Sequence, residues 1–371
     1  MTMKIAHFID TRTYGGAESL VIRFCRRTLE SGDIFVALHF GENKLVDKLA
    51  EYDVQQVILP NEKYYKSTKT LPIFSWSLRK ILQDLKIDVL HSHLYGPICA
   101  GALSCWHSGI RHIGTLHDSY TILEKPSRAW ILKLASVLDT HIVSVSGEIQ
   151  NAFLKTVDIP MHALSVIHNG TDIMPGISRS RKTELRDKLG ISDDNKLVIS
   201  VGRLTPIKGY NVLLEAWKNL PDRGKRKLLI VGEGPEKTNL LKQCNDENIS
   251  DSVIFSGFRD DVSDLLSISD LFVLLSHSEG LSCSITEAIA HGLPCVVTDV
   301  GGNSEIVQNH VNGILVKPGD IDSASEAIDK ILGDNKLAMA LENNSRRIAL
   351  ENFNEELMLE QYWDLYTNRE K

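Results

Sequence analysis

The feature that most constrains this chain is an alternation of short apolar runs with stretches of helical spacing. It is sustained over almost the whole length, and it starts twice. Lys4–Ile9, Ile34–His39, Val54–Leu59, Val89–His91, Ile110–Leu116 and His141–Ser144 are too short and too apolar for exposed helices. They read as strands buried on both faces. Between them, Glu18–Ser31 places Leu20, Phe24 and Thr28 along one helical face and stops at Gly32, and Trp76–Leu85 gives a second helix. Repeated strand–helix steps of this kind require a mostly parallel sheet with helices on both sides.

After Asn169-Gly170 the pattern restarts. A polar stretch, Ser178–Asp194, contains a short helix. Leu197–Gly202, Lys227–Val231, Val253–Phe255, Leu271–Leu274, Pro294–Thr298 and Ile314–Val316 follow as strands, with Tyr210–Asn219 among the intervening helices. A length of 371 residues also suits two domains. The expected fold class is therefore α/β, with two doubly wound units and a boundary between Gly170 and Ser178. Amphipathic Glu355–Tyr366 is either the last helix of the second unit or a helix that crosses back to the first.

Charge separates the halves. Residues 1–170 carry 18 basic and 16 acidic side chains; the remainder carry 23 and 32, and ten of the 13 histidines lie in the first part. A net charge of −7 argues against nucleic acid as a partner. Cys25, Cys99, Cys105, Cys244, Cys283 and Cys295 form no CxxC pair, and they read as small core residues of a reduced, cytoplasmic protein. The opening MTMKIAHFID lacks the apolar stretch of a signal peptide, and no run approaches the ~18 apolar residues of a membrane span, so any membrane contact is expected to be peripheral.

In an open α/β sheet, ligands bind beyond the carboxyl ends of the strands. The residues that follow each run are therefore the candidates. Gly15-Gly16-Ala17-Glu18 opens the first helix. Two glycines let a backbone approach a phosphate or sugar, and a helix N-terminus favours anions, although a tight turn alone would need the same residues. Val201-Gly202-Arg203-Leu204 and Lys208-Gly209 follow the first strand of the second unit. Arg203 offers a planar fork and Lys208 a mobile point charge, which together suit a diphosphate; the plain alternative is a pair of solvated charges. Gly232-Glu233-Gly234-Pro235 is either a loop lining a nucleotide or a turn.

Glu279-Gly280-Leu281-Ser282 leads into a helix that carries Glu287. Ionised carboxylates only accept hydrogen bonds, so Glu279 and Glu287 suit the hydroxyls of a sugar and a ribose. The segment between them can present backbone N–H groups at the helix start. His91-Ser92-His93 and His117-Asp118 have spacings that a metal would tolerate. No third ligand stands at a fixed spacing, so no metal site is assigned. His117 fits better as a neutral donor or acceptor to a sugar hydroxyl or phosphate. Neither a G-x-S-x-G elbow nor a Walker loop occurs.

These residues resemble the retaining glycosyltransferases of family four. The likeness is carried by Val201–Leu204 with Lys208-Gly209, Gly232-x-Gly234-Pro235, the Glu279–Glu287 pair, Thr298–Val307 and Asn312–Asp320, and more loosely by Gly15–Glu18, His91–His93, His117 and Ile167–Asp172. The resemblance implies a GT-B fold of two facing Rossmann-like domains with a cleft between them. Residues 1–175 would bind the acceptor and 176–352 the donor, with the helix in 353–371 packing back on the first domain. Arg203 and Lys208 would bind the donor diphosphate, and Gly202 and Gly234 would line the donor. Glu287 would bind its ribose, and Glu279 with the amides of Gly280, Leu281 and Ser282 its sugar. His117 would lie beside the sugar near the reacting centre; Gly15 and Gly16 would approach phosphate and acceptor. The leaving nucleoside diphosphate would be stabilised by Arg203, Lys208 and a helix N-terminus, without a metal and without any cofactor beyond the UDP- or GDP-linked substrate. Attack on the face of departure would retain configuration, so no carboxylate nucleophile is assigned.

Ser282-Cys283-Ser284 departs from the larger or proline-containing segments of many members, which leaves the sugar open between a hexose and an N-acetylhexosamine. The expected acceptor is a glycan or a polyprenyl-linked sugar at the inner membrane face, in assembly of a surface polysaccharide such as lipopolysaccharide. Basic and aromatic residues in Lys63–Lys69 and Arg128–Lys133 suggest peripheral membrane contact. A solvated loop and a core-facing helix would account for the same residues. A nucleotide-sugar epimerase and a non-catalytic nucleotide-sugar binding protein are the rival functions.

Overall fold

A computed structural model describes residues 2–11, 15–41, 43–118, 125, 127–173, 177–221 and 223–367. The chain forms two compact units. One runs to Asn169 and takes the chain back from Met358; the other is Gly170–Leu357. The expected boundary at 175/176 lies outside the described residues.

The first unit holds seven parallel strands in the order β3-β2-β1-β4-β5-β6-β7. They are β1 (Lys4–Ile9), β2 (Ile34–His39), β3 (Gln55–Ile58), β4 (Val89–His93), β5 (Arg111–Leu116), β6 (Thr140–Ser144) and β7 (Leu164–Val166). Alternation along β1 sends Ile5 and Ile9 to one core and Ala6 and Phe8 to another, so each face of the sheet has its own helices. The helix Gly16–Glu30 covers the first face with Leu20, Val21, Phe24 and Cys25. The helix Leu71–Asp84 covers the second with Phe74, Leu78 and Leu82.

Met358, Leu359, Tyr362 and Tyr366 of the helix Glu355–Thr367 complete the first-face core. Their spacing of three and four residues forms one helical stripe. Two tyrosines of that stripe end in buried polar partners. The Tyr366 hydroxyl lies 2.6 Å from His91 Nδ1, Thr115 Oγ1 lies 2.8 Å from His91 Nε2, and the Tyr362 hydroxyl lies 3.1 Å from Thr115 Oγ1.

The second unit holds six parallel strands in the order β10-β9-β8-β11-β12-β13. They are β8 (Lys196–Val201), β9 (Arg226–Val231), β10 (Val253–Gly257), β11 (Leu271–Leu274), β12 (Cys295–Thr298) and β13 (Gly313–Val316). All four residues of β11 and of β12 are buried, as strands sandwiched between helices must be. The helix Tyr210–Lys218 seats Trp217 in the core, where its indole N–H donates to Ser252 Oγ at 3.0 Å.

Elements without a counterpart in the sequence reading include the helix Tyr95–Cys105 and the strand β7. The helix Tyr95–Cys105 is apolar nearly all round, so it lacks the stripe that marks a helix. The strand β7 is only three residues long. Five cysteines are buried as expected, whereas Cys283 is half-buried at the start of a helix. Among the described residues no helix is long and apolar enough to cross a membrane.

Candidate active site

In the second unit, β8 and β11 are adjacent, and the connections leaving their carboxyl ends run to opposite sides of the sheet. This is the place where an open α/β sheet leaves a crevice. The loop after β8 carries Lys208 and turns at Gly209, whose φ of +64° is left-handed. A Cβ at Gly209 would stand 2.0 Å from the Leu275 carbonyl oxygen, so glycine is needed both for the turn and for the contact with the end of β11. The backbone N–H of His277 donates to the Ile207 carbonyl at 2.7 Å and locks the two loops together.

That contact brings Lys208 Nζ to 2.6 Å from Glu279 Oε1. The side chains are 21% and 8% exposed, so the pair is sheltered from the screening that makes surface ion pairs weak. Ser276 Oγ donates to the same oxygen at 2.6 Å. An ammonium has three donors, so Lys208 keeps two for an anion while it is held in place. Both bonds to Glu279 fall on Oε1, which leaves Oε2 for a hydroxyl donor. The Glu279 backbone is held by the loop after β12. A Cβ at Gly301, with φ +54°, would meet the Glu279 carbonyl at 2.0 Å, and the Gly302 N–H donates to the Gly280 carbonyl at 2.7 Å.

The loops after β8 and β9 pack backbone to backbone. A Cβ at Gly232 would lie 2.0 Å from the Gly202 carbonyl, and one at Gly234 would lie 2.2 Å from the Leu204 carbonyl. Packing alone therefore accounts for glycine at 232 and 234. Gly202 sits under Tyr210, whose hydroxyl would be 3.0 Å from a Cβ there. Arg203 is exposed on the same loop as Lys208. Leu281 and Ser282 are buried and lead into the helix Cys283–Ala290. Ser282 Oγ pairs with Ser284 Oγ at 3.1 Å and does not cap the helix. Glu287 is half-buried on that helix.

Gly15, Gly16 and His117 belong to the first unit. Gly15 caps the helix Gly16–Glu30 in extended backbone, and its N–H donates to Glu18 Oε2 at 2.8 Å. Among the described residues, a Cβ there would meet only that oxygen, at 3.4 Å. His117 follows β5 and is half-buried. Its Nε2 lies 3.3 Å from His93 Nδ1. Burial pushes the His117 pKa down to about 4, against the opposing pull of Asp118.

Behind His117 stands a group that the sequence reading did not assemble. His7, His91 and His93 are fully buried, with ring nitrogens within 4.8 Å of one another. The strand register makes the group: His7 pairs with His91 across β1 and β4, and His91 and His93 share a face by alternation. The third histidine that spacing did not reveal thus comes from a different strand. Burial lowers the His7 pKa to about 3; burial first, and neighbouring histidines second, hold His91 and His93 well below the ordinary value. Ser276, Glu18 and the Gly301-Gly302 turn were also missed as supports. Their signal lay in position, at strand ends and three residues along from a candidate.

Comparison with known proteins identifies the family. Residues 181–348 match the family model described as glycosyl transferases group 1, and residues 14–174 match that described as glycosyltransferase family 4. The chain is 30% identical over 288 residues to a UDP-Gal:alpha-D-GlcNAc-diphosphoundecaprenol alpha-1,3-galactosyltransferase of Escherichia coli, covering 73% of each. It is 29% identical over 294 residues to the N-acetyl-alpha-D-glucosaminyl L-malate synthase of Bacillus anthracis, covering 78% of this chain and 77% of that protein. Its fold is similar to that of HepE of Anabaena, solved with UDP and glucose, at a TM-score of 0.86 and 22% identity over 99% of this chain and 100% of that one.

Proposed function

This chain is a GT-B-fold member of the family 4 glycosyltransferases, and from that premise we propose that it moves a hexose or N-acetylhexosamine from a UDP- or GDP-linked donor, with retention, to a glycan or polyprenyl-linked sugar. The single observation that carries the assignment of the donor site is the Lys208–Glu279 pair at the strand-order reversal of the second unit. Lys208 and Arg203 meet the diphosphate, whose charge grows as the glycosidic bond breaks. Fixed cations there cost no reorganisation during the reaction. Glu279 accepts from sugar hydroxyls, and Glu287 accepts from the ribose. The N-terminus of Cys283–Ala290 adds partial positive charge. The Escherichia coli relative named for a diphosphoundecaprenol-linked acceptor supports the lipid-linked alternative.

With a panel of nucleotide sugars, the expected result is release of nucleoside diphosphate that rises sharply when acceptor is added and persists after treatment with EDTA. The glycosidic bond formed should have the donor's anomeric configuration. Conversion of the donor alone to another nucleotide sugar, or binding without release, would overturn the proposal.

Membrane contact is proposed for the helix Ser127–Val137. It buries Ala129, Leu132 and Ala135, yet Trp130, Leu134 and Val137 are 60%, 54% and 68% exposed, so a core-facing role explains only one side. Lys133 lies over the Trp130 ring at 5.4 Å, a cation beside an apolar stripe as an anionic lipid surface would favour. The Lys63–Lys69 segment contributes less: Tyr65 is buried against Phe8, Phe40 and Phe74, and Lys66 pairs with Glu62. The protein is expected to float with vesicles containing anionic phospholipid. Trp130→Ser with Leu134→Ser should abolish most of that flotation, and equal flotation of variant and wild type would exclude this face.

A further inference from the structure

The histidines of the first unit form a chain. His7 Nδ1 lies 3.0 Å from His93 Nε2, and His93 Nδ1 lies 3.3 Å from His117 Nε2. The rings of His7 and His93 are inclined by only 17°, and those of His93 and His117 by 30°, so each pair meets nearly edge to edge in a shared plane. At one end His117 stands at the carboxyl edge of the sheet. At the other, the His7 ring packs against Phe24 and Phe35, and its buried Nε2 has no hydrogen-bond partner among the described residues.

Neutral imidazoles carry one proton each, so two bonds in series allow only two arrangements. In one, His7 Nδ1–H donates to His93, His93 Nδ1–H donates to His117 Nε2, and His117 keeps its proton on Nδ1. In the other every bond is reversed, and His7 is left with a buried N–H that has no acceptor. A buried orphan donor is rarer than an under-used acceptor, so the first arrangement is favoured. A metal centre fits the geometry less well. Both His91 nitrogens are engaged, by Tyr366 and Thr115, and the His7 and His93 nitrogens face each other and do not converge on a third point.

We propose that His93, backed by His7, is a positioning residue that sets the tautomer of His117, leaving its Nδ1–H as the donor at the edge of the acceptor-side sheet. The proposal deepens, and rests on, the reading that His117 adjoins the transferred sugar. Which nitrogen of a working histidine carries the proton is set by the bond that the other nitrogen makes. The device supplies that bond from two residues sealed in the core, where water cannot compete for it.

The test uses the full-length protein labelled with ¹⁵N-histidine, with His117 assigned by its loss in His117→Ala. Long-range proton–nitrogen spectra should show His117 protonated at Nδ1 in the wild type. In His93→Leu the proton should shift toward Nε2, with a roughly tenfold fall in kcat, smaller than the ~10²-fold of losing a proton-transfer group outright. KM for the donor should stay unchanged. His93→Gln, which can both accept and donate, should restore part of the Nδ1–H signal and of kcat. In a His117→Ala background, His93→Leu should cost nothing further in kcat. An Nε2-protonated His117 in the wild type, or an unchanged tautomer in His93→Leu, would overturn the proposal. So would a stoichiometric metal that co-purifies with the wild type and is lost in His7→Leu. If the tautomer shifts as expected while His117→Ala leaves kcat intact, the positioning stands and the placement of His117 beside the sugar falls.

Discussion

Lys208→Ala is expected to lower transferase turnover by at least ~10²-fold, the scale of removing a group that stabilises developing charge. The ammonium is not replaceable from nearby, because its position is built by three contacts: the left-handed turn at Gly209, the Ile207–His277 backbone bond and the ion pair to Glu279. Its loss also leaves Glu279, 8% exposed, with Ser276 as its remaining side-chain donor among the described residues, so the proposed sugar contact should loosen together with the proposed diphosphate contact. Lys208→Arg should recover only part of the activity, since a planar fork does not occupy the place of a compact ammonium. Glu287→Ala should fall to a similar level. The nucleoside diphosphate should raise the melting temperature of the wild type and fail to do so for Lys208→Ala. Near-wild-type turnover in both alanine variants would remove these residues from the site.

The second large effect is on stability. Tyr362→Ala should destabilise the first unit by about 3–5 kcal/mol, the usual cost of truncating a large buried aromatic. Tyr362 is fully buried, meets Phe24 edge-on at 4.9 Å and bonds Thr115 through its hydroxyl. Tyr362→Phe keeps the ring and loses only the hydroxyl, so it should cost about 1 kcal/mol. Urea unfolding followed by fluorescence would measure both. If Tyr362→Ala cost no more than Tyr362→Phe, the helix Glu355–Thr367 would not be part of that core.

Apart from β7, the strands of both sheets were legible because nearly all are runs of apolar residues between turn signals, as in Leu271–Leu274 and Cys295–Thr298. The helix Tyr95–Cys105 was not legible, because burial on nearly every side erases the period that would announce it. At the site, the residue types stood out at the strand ends, but their partners did not. Lys208 and Glu279 are 71 residues apart, and only the adjacency of β8 and β11 joins them. His7 and His93 likewise meet only because β1 lies beside β4. Local sequence signals element type and candidate chemistry; strand order, which depends on the whole chain, decides which candidates touch.

The first unit closes with residues from Met358 onward, which has a consequence for how the chain is made. On the ribosome, the sheet that bears His7, His91 and Thr115 emerges early, yet the stripe of Met358, Leu359, Tyr362 and Tyr366 emerges only after all of Gly170–Leu357. At ordinary elongation rates the interval is roughly 10–40 s. Throughout it, the nascent protein carries an unsealed face of apolar and polar core groups, and by its end the second unit has every residue it needs to fold. The unit that begins first is the one that finishes last.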